Sequence, residues 1–92
     1  MNETRTSGWA IQVATPEGKK WVKGNLSRNM LQLIPIYGKK TRHTDYTSKF
    51  ILTNVIEESW LGREELAKSI ARKCTKQFQC LAIALEIKDT TP

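Results

Sequence analysis

Acidic residues almost vanish from the middle of this chain. Between Lys19 and Lys49 there is one, Asp45, against eight bases (Lys19, Lys20, Lys23, Arg28, Lys39, Lys40, Arg42 and Lys49), a local excess of seven positive charges. The other residues hold seven bases and eight acids, so nearly all of the net charge of +6 sits in one third of the sequence. Cysteine and histidine are scarce as well. Two cysteines and His43 fall short of the roughly four Cys/His ligands of a structural zinc site, so no metal is expected. Neither Gly-x-Gly-x-x-Gly nor Gly-Lys-Ser/Thr occurs, which removes the commonest nucleotide-dependent classes, and no cofactor is expected. No apolar run reaches the ~18–20 residues that span a bilayer. Met1 to Gly8 is polar where a secretory signal is apolar, so no membrane contact and a cytoplasmic location are expected. The signatures of established RNA-binding modules, a Lys/Arg-Gly-Phe/Tyr run or a Gly-x-x-Gly loop, are also missing.

What remains is the composition of a small folded domain. With 39% hydrophobic residues, 26% charged residues and three Trp, the chain does not have the low hydrophobicity of a disordered segment. A chain of this size buries roughly 60–65% of the surface its unfolded form exposes, enough for one modest core. One domain is expected over 1–92, with flexible ends at 1–7 and 89–92. Cys74 and Cys80 read as small buried hydrophobes in a reducing compartment.

The order of elements follows from periodicity and turn chemistry. Trp9 to Val13 alternates, Pro16-Glu17-Gly18 turns the chain, and Lys19 to Lys23 resumes in extended form: a β-hairpin. Leu26 to Tyr37 is ambiguous and is expected to be a short turn of helix followed by a strand, with Pro35 confining that strand to an edge. Phe50 to Ile56, rich in β-branched residues, reads as a buried strand. A long helix follows, with Gly62 at its N-cap, Glu64 and Glu65 in its first turn, Leu61 stapled onto Leu66, and Arg72, Lys73 and Lys76 towards a C-terminal end at Gln77. Leu66, Ala67, Ile70, Ala71 and Cys74 form its apolar stripe. In the last strand, Gln79 to Ile87, one face carries Leu81, Ile83, Leu85 and Ile87. The other carries Cys80, Ala82, Ala84 and Glu86, small enough to admit another element closely. The expected fold class is α+β: a mostly antiparallel sheet of about four strands with one long helix packed on it, in the order ββ-x-βαβ.

Candidate catalytic groups are weak. His43 and Asp45 can act together in general acid–base chemistry, but no framed Ser or Cys nucleophile accompanies them. Glu57 and Glu58 adjoin a strand end, where neighbouring side chains diverge and make a poor metal clamp. No enzymatic activity is expected. The basic region is more informative, because aromatics are interleaved with its charges. Lys19, Lys20, Trp21 and Lys23 form one group, with Arg28 beyond it. Tyr37, Lys39, Lys40 and Arg42 form a second, and Lys49 beside Phe50 a third. A positive track for the backbone with rings for the bases is how single-stranded nucleic acid is held. In a chain with so small a core, Trp9, Trp21 and Phe50 are more often core than platform, and hairpin lysines also protect a sheet edge from aggregation. The loop 38–49, polar and without aliphatic side chains, is expected to be mobile alone and ordered by a partner.

In size, single-domain α+β layout and lack of motifs, the chain resembles the small phage-encoded inhibitor proteins of the anti-CRISPR type. Many of those are acidic mimics of DNA, whereas this chain is basic, with a pI near 9.6. The resemblance implies an inhibitor that touches nucleic acid or an acidic protein patch on a host CRISPR-Cas complex. The expected function is a non-enzymatic binding protein that docks on a nucleoprotein complex, or on its nucleic acid, through the residues named above. The alternatives are a stand-alone RNA- or DNA-binding module and a structural subunit that oligomerises through its helix or a strand edge.

Overall fold

The hairpin read from Trp9 to Lys23 is the spine of the structure. The computed structural model describes residues 5–35 and 48–88. Strand β1 (Gly8–Thr15) and strand β2 (Gly18–Val22) pair antiparallel from Thr15 opposite Gly18 to Gln12 opposite Trp21. Pro16 and Glu17 make the turn, and Gly18 adopts φ +123°, a conformation open to glycine and strained for other residues. Beyond them come β3 (Leu33–Pro35), β4 (Ser48–Phe50), β5 (Leu52–Thr53), a 3-10 turn over Ile56–Glu58, helix α1 (Glu64–Phe78) and β6 (Ala82–Ile87). Four strands form one antiparallel sheet in the order β5-β2-β1-β6, and β3 with β4 forms a second, two-stranded sheet. This is a small α+β domain, as the element order predicts.

Helix α1 covers one face of the larger sheet. Its buried positions, Ala67, Ile70, Ala71 and Cys74, have the spacing of one helical stripe and meet Ile11, Val13, Val22, Trp60 and Ala82 in a single cluster. The small face of β6 admits the helix: Ala82 is buried and Ala84 packs against the cluster, while Thr75 Oγ1 accepts the Ala82 N–H at 3.2 Å. Gln77 binds the helix to β4, taking the Phe50 N–H on its Oε1 at 3.1 Å and donating from Nε2 to the Phe50 carbonyl.

Several expectations are corrected. The helix begins at Glu64 with Arg63 as N-cap, one residue later than expected, because the N–H and C=O of Gly62 are both spent on Trp9. It ends at Phe78 with Gln79 in the left-handed region. Leu66 lies off the stripe and is exposed. Phe50 to Ile56 is not one buried strand: it breaks at Ile51, whose carbonyl accepts the Lys23 N–H, and Val55 and Ile56 are exposed. Residues 25–30 form no helical turn but a tight loop, organised by Asn25 Oδ1, which accepts from Ser27 Oγ and the Asn29 and Met30 N–H groups. Among the described residues, no helix is long and apolar enough to cross a membrane.

Candidate nucleic-acid interface

The hairpin register sorts the basic residues onto two faces. Residues directly opposite in an antiparallel pair share a face. Val13 and Val22 point into the core, so Lys20, opposite Val13, lies on the helix side, where its Nζ pairs with Glu17 at 3.1 Å. Lys19 and Trp21 point the other way, and alternation carries Lys23 to the same side. Trp21 is half-buried and lies outside the core cluster and its fringe of packed hydrophobics, to which Trp9 and Phe50 belong. Trp21 is therefore the tryptophan of the open face.

Across that face the registers align into rows. Thr53, Trp21, Gln12 and Ile83 form one row over all four strands. Lys19 and Ala14 form the next, extended to Leu81 by a bond from the Ala14 N–H to the Leu81 carbonyl. No carboxylate stands in either row, since Glu86 is opposite Trp9 on the helix side. Glu58 touches the rim, where it accepts from Thr53 Oγ1 at 2.7 Å. The face thus grades from a cationic stripe with one indole on β2 to an aliphatic stripe on β6, where Leu81 is 67% and Ile83 41% exposed.

One end of the face is closed by the loop at residues 25–30. Leu61 and Ala10 are fully buried yet outside the helix-side cluster. The Leu61 N–H donates to the Arg28 carbonyl, and Arg5 donates from Nη1 to the Leu61 carbonyl and from its N–H to the Ser27 carbonyl. Arg28 is the anchor of this closure, which corrects its expected place on the binding surface. The residue is 8% exposed, and its guanidinium donates at 2.9 Å from Nε to the Ser59 carbonyl and from Nη2 to the Ile56 carbonyl and Ser59 Oγ. Burial holds its pKa below the usual value, partly offset by Glu57. With Nε and Nη2 committed to Ser59 and Ile56, this cation serves the closure of the loop and is a poor open contact for a phosphate. Arrangement around Ser59 depends on a contact between residues 31 apart, and local sequence carried no sign of it.

Of the other expected contact residues, Lys49 is exposed on β4 opposite Ile34. Its strand neighbour Phe50 turns inward onto the core. Tyr37, Lys39, Lys40 and Arg42 lie outside the described residues, as do His43, Asp45 and most of the loop 38–49. Cys74 and Cys80 are free thiols, and burial pushes the Cys74 pKa up to about 12. No protein-family model matches this chain, and no curated protein or solved structure does so either.

Proposed function

We propose that the protein is a non-enzymatic nucleic-acid-binding protein whose contact surface is the open face of the four-stranded sheet. The observation that carries this reading is Trp21. It is a large aromatic left out of the core in a chain with little core to spare, and it is bracketed on its own face by Lys19 and Lys23. An aromatic ring on a sheet surface offers a stacking platform for an unpaired base, and flanking lysines meet the phosphates on either side. Base stacking is sequence-tolerant, which suits a face with few groups for reading base edges. Lys49, exposed on β4, adds charge among the described residues, and a single strand fits a stacking platform better than a duplex, whose bases are already stacked. An inhibitor that seats on the exposed nucleic acid of a host nucleoprotein complex would use this same face.

Fluorescence anisotropy with labelled single-stranded RNA and DNA, set against duplex of the same length, tests the proposal. Single strands should bind more tightly, and Trp21→Ala together with Lys19→Ala and Lys23→Ala should remove most of that binding. Absence of binding to any nucleic acid at low salt would redirect the basic surface to an acidic protein partner.

A further inference from the structure

The two edges of the main sheet are unlike. Strand β5 is two residues long, the kind of short edge that resists pairing with another chain. Strand β6 is six residues long, regular and free of proline and lysine, and among the described residues no strand pairs with its outer side. We infer that β6 is a homodimer interface, in which two copies pair antiparallel through this edge about a two-fold axis at Leu85, making one continuous eight-stranded sheet. The inference stands independently of nucleic-acid binding.

The backbone decides the register. Groups alternate sides along a strand. Because the Leu81 carbonyl accepts from Ala14, the odd-numbered residues of β6 face β1, and Ala84 and Glu86 turn their N–H and C=O outward. The Ala82 N–H is outward too, but it is already taken by Thr75 Oγ1 at 3.2 Å. An axis at Leu85 sets Ala84 against Glu86 of the second copy, and Glu86 against its Ala84, so each pair can exchange both backbone bonds. An axis at Ala84 would need the occupied Ala82 N–H, and an axis at Glu86 would set two carboxylates face to face, a destabilising pair. With Leu85 at the axis, Ile83 meets Ile87 and Leu85 meets Leu85 on the open face. Aliphatic side chains that are exposed or half-buried in one copy thereby gain cross-strand partners.

Charge selects a second copy seated edge to edge. Each copy carries +6, and stacking two open faces would bring their lysines within about 10 Å, the separation of packed sheets. Edge pairing leaves β1 and β6 of each copy between the two β2 strands. At about 4.8 Å per strand this separates the basic stripes by about 24 Å, more than twice the screening length at physiological salt.

Sedimentation equilibrium on the full chain, nuclease-treated, from about 1 μM to 1 mM, covers the range of weak pairing affinities. The mass should rise from 10.5 kDa towards twice that value. Glu86→Pro, at an exposed position whose N–H points away from β1, should hold the protein monomeric at every concentration. Ile83→Lys should weaken the dimer at least tenfold, with circular dichroism unchanged. If Glu86→Pro loses the fold, Ile83→Lys alone decides. A wild-type monomer throughout the range, or a dimer of undiminished affinity in a folded variant, overturns the interface.

Discussion

Trp21 and Trp60 show how two identical side chains come to different work. Trp60 is 3% exposed in the cluster under helix α1, whereas Trp21 stands on the opposite face. Trp60→Ala should therefore cost about 3–5 kcal/mol of stability, as loss of a core aromatic does. Trp21→Ala should leave the melting temperature close to wild type while weakening single-strand binding by about 1–3 kcal/mol. A Trp21 variant that melts early and binds fully would end the stacking role. Arg28 makes the complementary case among the bases. Its φ of 64° is costly for a side chain with a Cβ, and its hydrogen bonds to Ser59 and Ile56 offset that cost. Arg28→Ala should lower stability by about 3 kcal/mol, since buried carbonyls lose a charged donor, without changing the affinity of the folded protein for nucleic acid. Denaturant melts with anisotropy separate the two effects. Cys74 gives a pH signature. Burial raises the folded thiol's pKa to about 12, against the ordinary cysteine value of 9.0 that an unfolded chain would have. Below pH 9 both states are protonated and the group adds no pH dependence. Between the two values the unfolded chain sheds a proton that the folded one keeps, so stability falls as pH rises. Alkylation of the native protein at pH 8 should accordingly label Cys80 before Cys74, read by mass spectrometry.

At the scale of elements, the segment Ser59–Gly62 does more than lead into the helix. It enters between the splayed ends of β1 and β2, bonding Val22 through the Trp60 N–H at 2.8 Å and Trp9 through both backbone groups of Gly62. The Trp60 indole folds back over Gly62, so closely that a methyl group there would overlap the ring. Gly62→Ala must displace the core tryptophan, and a cost of about 1–3 kcal/mol or more is expected in a thermal or urea melt. A neutral result would mean that Trp60 can repack freely. Gln77 plays a related part at the other end of α1, where one amide holds both backbone groups of Phe50. Its bonds stand in for a strand neighbour at the junction of β4 and β5.

For the whole molecule, the central property is the separation of charge from apolar surface across one sheet. A field confined to one region raises both encounter rate and affinity for an anionic chain. Each phosphate neutralised on a single strand adds about 0.7 to the slope of log affinity against log salt, so four engaged residues give a slope of about −3. Lys19→Ala with Lys23→Ala should shallow that slope by about 1.4. Lys20→Ala, on the helix side and paired with Glu17, should change it little. Equal effects of Lys19 and Lys20 in the same salt series would show that the two faces do not differ in binding.

The class of the fold, its hairpin and its long helix were legible in the sequence, because each rests on local causes: period-two alternation, a Pro-Glu-Gly turn, and a helical stripe of small apolar residues. The assignment of β6 was legible in part. Alternation separated Ala82 and Ala84 from Ile83 and Leu85, and the small face was expected to admit another element, without indicating which one. Only the packing decided that helix α1 sits on the alanines, leaving no room there for larger side chains and putting Leu81 and Ile83 on the open face. Long-range contacts likewise withdrew Arg28 from the basic surface and divided Lys19, Trp21 and Lys23 from Lys20. A side chain's face in a sheet depends on which neighbour occupies the other side, and that neighbour comes from a distant part of the chain.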